Sequence, residues 1–264
     1  GYSTGYVGTT EEYDGTDWAT SPGSMTTARI AMVAAGTQTA ALAAGGNAGG
    51  SPSYSDATEE YNGSTWTAGG ALITGRNEIV GSGTQTAAVG FGGTTGSYST
   101  ATEIYNGTAW ATSPATLATA RINLNRAGTT SSAALAIGGF APPYTSATEE
   151  YNSSTTVITP GAWAAGTAFP TSIQDGAGAG SSTTSAIVYG FWDTAISNKA
   201  NEYDGSSWTA TPVMNTARAT YQSGCGTQTA ALCASGTQYP SPATGATEKW
   251  NGSSWTTVAT MGRG

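Results

Sequence analysis

The stretch "TEEYNGSTW" at 58–66 decides how the chain is read, because it recurs. Close relatives are "TEEYDGTDW" at 10–18, "TEIYNGTAW" at 102–110, "NEYDGSSW" at 201–208 and "TEKWNGSSW" at 247–255, and "TEEYNSSTTVITPGAW" at 148–163 is a lengthened version. The aromatic residue before each break is Tyr13, Tyr61, Tyr105, Tyr151, Tyr203 or Trp250, spaced 44–52 residues apart. A fixed period of this size marks a repeat architecture. Two further phrases keep step with it. One is "GTQTAALAAGG" at 36–46, echoed at 83–93, 128–139 and 226–236 and more weakly by "GSSTTSAIVYG" at 180–190. The other is "MTTAR" at 25–29, echoed by "LITGR" at 72–76, "LATAR" at 117–121 and "MNTAR" at 214–218.

Each period reads as four short strands. The first follows the arginine, the second is the apolar small-residue run, the third is "ATEEY" and the fourth opens at the tryptophan. Asn-Gly and Asp-Gly tolerate positive φ at both central positions of a tight hairpin turn, so Asn62-Gly63 and its counterparts predict two-residue turns or close variants. Four strands per period of this length predict a β-propeller. Helix is disfavoured by 38 glycines.

These phrases resemble the kelch repeat, in which a double glycine, a tyrosine and a tryptophan follow one another and an arginine opens the next blade. The matching residues include Gly45-Gly46, Tyr61, Trp66 and Arg76, then Gly92-Gly93, Tyr105, Trp110 and Arg121. The Ala/Thr-rich wording also resembles kelch-like proteins encoded by marine bacteriophages. The resemblance implies an all-β propeller over the single domain 1–264. Repeat four departs from the pattern, without the double glycine or the arginine. Complete repeats run 29–66, 76–110, 121–163, 173–208 and 218–255. We expect six blades, the sixth closed by residues 1–20 and 256–264, and the alternative is five blades with an N-terminal extension. The second strand of that sixth blade is hard to find, since "GYSTGYVG" at 1–8 reads as an inter-strand loop, and residues beyond those given are one source for it. The chain opens on Gly rather than Met, and we expect a core cut from a longer protein.

One charge pattern predicts contacts. In "TEEY" the first Glu and the Tyr share a strand face, and a lone carboxylate packed between blades would be costly. Each complete repeat but the fourth also opens with one Arg. Pairing Arg29 with Glu59, Arg76 with Glu103, Arg121 with Glu149 and Arg218 with Glu248 leaves repeat four with Ile173 and Asn201, where both charges vanish together. The same rule pairs Arg263 with Glu11 across the closing blade. For Cys225 and Cys233, a hairpin turning at 227–229 would set Cys225 opposite about Ala230, which predicts two small buried thiols and no disulfide.

Composition narrows function. Only 9% of residues are charged and the net charge is −8 with no histidine. That argues against nucleic-acid binding, which needs clustered Lys and Arg, and removes the commonest general base and metal ligand. No apolar run is long enough to span a membrane, and no signal peptide is visible. We expect no cofactor, no metal and no catalytic residues, because most acids lie in the repeated phrase. Asp56 and Asp193 lie in loops and leave open a hydrolase using loop carboxylates.

The loops between second and third strands vary most and carry aromatics. Tyr6, Tyr54, Tyr98 and Tyr144 each precede the repeat tyrosine by seven residues, whereas Trp192 and Tyr239 stand off that register. Exposed aromatic faces beside Ser, Thr and Asn suit a neutral sugar. The competing reading of the constant spacing is that these tyrosines pin each loop to its own blade, which makes Trp192 the better ligand candidate. We expect a virion or extracellular binding module that contacts a host surface glycan or receptor and other virion proteins. A passive virion decoration protein is the alternative. Oligomeric state has no signal in the sequence.

Overall fold

The computed structural model describes residues 5–50, 53–153, 161–221, 224–238 and 244–262. The chain opens with a hairpin, β1 (Thr9–Tyr13) and β2 (Trp18–Ser24). Five four-stranded antiparallel sheets follow, each ordered as its strands occur in the chain. Blade one is β3 (Val33–Thr37), β4 (Ala40–Ala44), β5 (Thr58–Tyr61) and β6 (Trp66–Ala68). Blade two is β7 (Val80–Thr84), β8 (Ala87–Phe91), β9 (Thr102–Tyr105) and β10 (Trp110–Thr112). Blade three is β11 (Asn125–Thr130), β12 (Ala133–Ile137), β13 (Thr148–Asn152) and β14 (Ala162–Gly166). Blade four is β15 (Ala177–Ser182), β16 (Ser185–Tyr189), β17 (Ala200–Tyr203) and β18 (Trp208–Thr211). Blade five is β19 (Gly224–Thr227), β20 (Ala230–Ala234), β21 (Thr247–Trp250) and β22 (Trp255–Val258). First strands of successive blades lie side by side around a central axis. The fold is an all-β propeller, with β1 and β2 standing as the outer pair of a sixth blade.

Small residues near the axis and aromatics farther out give each blade its wedge shape. One interface buries Leu42, Val33 and Ala44 of blade one against Ala88, Tyr105 and Trp110 of blade two. Within each outer hairpin the two aromatics contact each other, with ring centroids 5.1 Å apart for Tyr13–Trp18, Tyr61–Trp66 and Tyr105–Trp110.

The four arginine pairs form within their own blades. Arg29 donates to Glu59 at 2.9 Å, Arg76 to Glu103 at 2.7 Å and Arg218 to Glu248 at 2.7 Å, and Arg121 donates to Glu149 in the same way. All four arginines are fully buried. Burial works to lower the guanidinium pKa of Arg29, Arg76 and Arg121, and the paired carboxylate opposes it. The long side chain spans the distance by leaning beneath the loop between second and third strands. There Arg76 also donates to the carbonyls of Gly92 (2.8 Å) and Ala101 (2.9 Å). The second carboxylate oxygen accepts a backbone amide from the segment leading into the blade: Thr26 (2.7 Å), Ile73 (2.7 Å), Ala118 (2.8 Å) or Asn215 (2.7 Å). Blades are joined in turn by the second glycine of the pair, since Gly46 N–H donates to the Arg76 carbonyl and Gly93 N–H to that of Arg121. A Cβ on Gly46 would lie 2.5 Å from the Ile30 carbonyl oxygen, so only glycine fits.

Two sequence expectations are corrected. The Asn-Gly pairs are not two-residue turns. Tyr61 pairs with Trp66, leaving the four-residue tip 62–65, in which Asn62 Oδ1 accepts the amides of Ser64 (3.0 Å) and Thr65 (2.9 Å). The side chain caps the tip, and of the pair only Gly63 has positive φ, +89°. In blade five the turn is tighter than expected, because Thr227 pairs with Ala230 and so sets Cys225 opposite Leu232 and Cys233 opposite Gly224. Both cysteines are free; Cys233 is buried but Cys225 is exposed. The expected pairing of Arg263 with Glu11 falls on Arg263, which lies outside the described residues.

Removing one member of a buried ion pair leaves the other uncompensated. Glu59→Ala should therefore cost about 3–5 kcal/mol in urea unfolding. Asp193→Ala, which breaks the Lys199 pair whose lysine is 59% exposed, should cost less than about 1 kcal/mol.

Candidate functional site

The loops between second and third strands share one face of the ring with the arginine-bearing connectors. Their first turns have a common register: Thr94 bridges Tyr98, Phe140 bridges Tyr144 and Trp192 bridges Ile196. Ile196 thus holds the tyrosine place in blade four. Trp192 is off the tyrosine register, as the sequence indicates, and stands where Phe140 stands in blade three.

Tyr6, Tyr54 and Tyr98 meet the next blade's loop, whereas Tyr144 packs against Phe140 of its own loop. A Cβ on Gly49 would lie 3.0 Å from the Tyr6 ring, and one on Gly96 would lie 3.3 Å from the Tyr54 hydroxyl. Tyr98 packs edge-on against Phe140 at 5.9 Å, and Phe140 contacts Tyr144 at 4.8 Å. Tyr98 and Tyr144 remain 38% and 41% exposed, whereas Tyr6, Tyr54 and Trp192 are half-buried. Blades two and three thus share a continuous, partly exposed strip of three rings. Phe140, which joins them, escaped the sequence reading because it directly follows a Gly-Gly pair and looked like the end of a strand. Tyr239 lies outside the described residues.

Acidic groups are dispersed. Asp56 is exposed in the loop of blade one and Asp193 lies in that of blade four, three blades away. Asp193 is held by Lys199 at 2.6 Å. Burial works to raise its pKa, but Lys199 and the amides of Thr194 and Ala195 outweigh it, and the carboxyl is lowered. Asp56 and Asp193 do not form a pair. A different carboxylate couple lies at the entry to the first strands. Glu78 and Asp175, two residues after Arg76 and Ile173, have φ of +52° and +54°. Burial, and then the charge of Glu78, pushes Asp175 up to about 7, and burial raises Glu78 as well. An acid titrating near neutrality can carry a proton, but Asp175 is only 8% exposed, which keeps a sugar from reaching it. Among the described residues no three acidic or thiol side chains are grouped as metal ligands.

Two cavities complete the description. The axial one, about 910 Å³, is lined by small residues together with Arg126 and Cys225. A cleft of about 170 Å³ lies in blade four beside Phe169, Asn201 and Val213, where the arginine and glutamate of the other blades are replaced.

A solved structure described as "Structure of YjhT" superposes with a TM-score of 0.70, covering 96% of this chain and 97% of that one at 12% identity. At that identity the likeness concerns the fold, and the class is a kelch-like β-propeller. No family profile matches the chain, and no curated protein matches it.

Asp175 gives the site a pH signature. Its folded pKa lies above its ordinary value, so the stability of the neutral acid is fully present below about pH 4 and is lost as pH rises toward about 7. Asp175→Asn removes that loss, and Asn tolerates positive φ. In urea unfolding the variant should match the parent near pH 4 and exceed it by roughly 1–3 kcal/mol near pH 8.

Proposed function

We propose that the chain is a non-enzymatic adhesion module that binds a host surface glycan through the aromatic strip of its loop face. We further propose that a bacteriophage virion carries it, beside other virion proteins. The observation that carries the binding reading is the strip Tyr98–Phe140–Tyr144, whose outer two rings are partly exposed. Such rings offer flat apolar faces to a sugar, and the loop residues Thr95, Ser97 and Thr145 bring polar groups near by. The virion reading is supported by the resemblance to phage-encoded kelch-like proteins. The low charge and rigid repeat suit an exposed particle surface.

The hydrolase alternative loses its motivation, since Asp56 and Asp193 are three blades apart. The decoration alternative draws on the loop-to-loop packing of Tyr6 and Tyr54, which gives those tyrosines a purely structural role. Trp192, half-buried and with its backbone bonded both ways to Gln174, is a weaker ligand residue than the sequence suggested.

A glycan array probed with the purified chain separates these readings. Binding to a defined neutral glycan is expected. Tyr98→Ala and Tyr144→Ala should each weaken it about tenfold, equivalent to about 1.4 kcal/mol, with little change in melting temperature. No binding across the array, or binding untouched by both changes, would favour the decoration role.

A further inference from the structure

Blade four lacks more than the arginine and the glutamate. In the other four blades the second carboxylate oxygen accepts the amide three residues before the arginine, that of Thr26, Ile73, Ala118 or Asn215. The same position in blade four is Pro170, which has no amide hydrogen to give. Guanidinium, carboxylate and amide donor are thus replaced together, by Ile173, Asn201 and Pro170. If the exchange served packing alone, an apolar residue at 201 would complete it. Instead a cleft of about 170 Å³ remains, and a polar side chain lines it.

The cleft has buried walls and an open rim. Phe169 and Phe191, 3% and 1% exposed, line it and meet edge to face at 5.3 Å. Asn201 lines it too, 8% exposed, and its side-chain amide makes no hydrogen bond among the described residues. Thr211, on the neighbouring strand, has its Oγ1 buried without a hydrogen-bond partner among the described residues. A buried polar group left unpaired is destabilising, so its retention asks for a reason, and a ligand supplies one. Pro170, Thr171 and Val213 form the exposed rim, with Lys199 beside them. Lys199 is already paired with Asp193 at 2.6 Å, which leaves the cleft without an uncompensated charge. The wall carrying Phe169 is tied to the loop of blade three, since Phe169 N–H donates to the Ser146 carbonyl, two residues beyond Tyr144.

These groups select a chemical class. A side-chain amide offers a carbonyl acceptor beside an NH₂ donor, and another amide answers both at once. A carboxylate has no proton for the Asn201 carbonyl, and nothing in the cleft would balance its charge. The two phenylalanine rings suit a methyl group. We infer that the blade-four cleft binds the acetamido group of a neutral N-acetylhexosamine. The acetyl methyl meets Phe169 and Phe191, and the amide pairs with Asn201 and Thr211. The sugar ring then lies at the rim, its apolar face against Pro170 and Val213. The volume suits such a group, because a cavity of about 150 Å³ admits a benzene ring. The site is separate from the aromatic strip and does not depend on it.

The test titrates the whole chain with methyl N-acetyl-β-glucosaminide, followed by NMR. Saturable binding is expected, and in saturation transfer the acetyl methyl should receive the strongest signal. Methyl β-glucoside, which lacks the acetamido group, should bind about tenfold more weakly or worse. Asn201→Leu should weaken binding of the probe by about tenfold or more in a chain that melts no lower, and Thr211→Val by about threefold or more. Tyr98→Ala should leave the affinity within about twofold, which separates this site from the strip. Absence of saturable binding, equal binding of methyl β-glucoside, tighter binding of N-acetyl-lysine amide, or undiminished binding in both Asn201→Leu and Thr211→Val would overturn the proposal.

Discussion

A buried arginine–carboxylate pair at the root of four blades organises this molecule. Strands such as Ala40–Ala44 and Gly224–Thr227 carry little side-chain volume. Runs of small residues specify strand register weakly, because one slip replaces one small side chain by another. Charge supplies what shape does not. The guanidinium holds the base of the loop between second and third strands, the carboxylate holds the segment entering the blade, and each finds its partner only in one register. A buried ion pair need not be a large net source of stability. Its consequence here is that mispaired arrangements leave a charge uncompensated. Blade four dispenses with both partners, and there a small cleft opens beside Asn201 and Phe169.

From that root the order spreads around the ring by bonds that each cross one blade boundary. The second glycine donates to the next arginine's carbonyl, a tyrosine hydroxyl donates to the preceding blade's second glutamate, and a tryptophan donates to the preceding threonine. Departures are local. Ile104 replaces the second glutamate of blade two, and the Tyr151 hydroxyl that would meet it is buried without a partner among the described residues. Tyr105, whose glutamate is present, is pushed up to about 12 by burial and then by the Glu60 bond. The N-terminal hairpin joins the same scheme on both of its sides, which makes it a blade fragment and not an appendage.

The period, the strand count and the four arginine pairs were legible because they repeat within one unit and because repeat four loses both charges at once. What crosses between units was harder to read. Glu60 and Tyr105 are 45 residues apart and belong to different copies, so no single repeat displays their bond. The same holds for the tyrosines of the loop face, whose constant spacing suggested a contact within the blade, whereas the described contacts of Tyr6, Tyr54 and Tyr98 lie on the next loop. The turn tips were misread because Asn-Gly has two uses, and a side-chain cap competes with the tight hairpin turn. The elevated pKa of Asp175 depends on burial and on Glu78, neither visible in a linear text.

The most direct measurement of the central account grafts the missing pair into blade four. Ile173→Arg, Asn201→Glu and the double variant would be compared by urea unfolding. Each single change should destabilise, since it buries one charge without its partner. The double variant should recover at least half of the summed loss, with a coupling of roughly 2 kcal/mol or more. Additive losses in the double variant would contradict the view that the blade root is a preformed site for this pair.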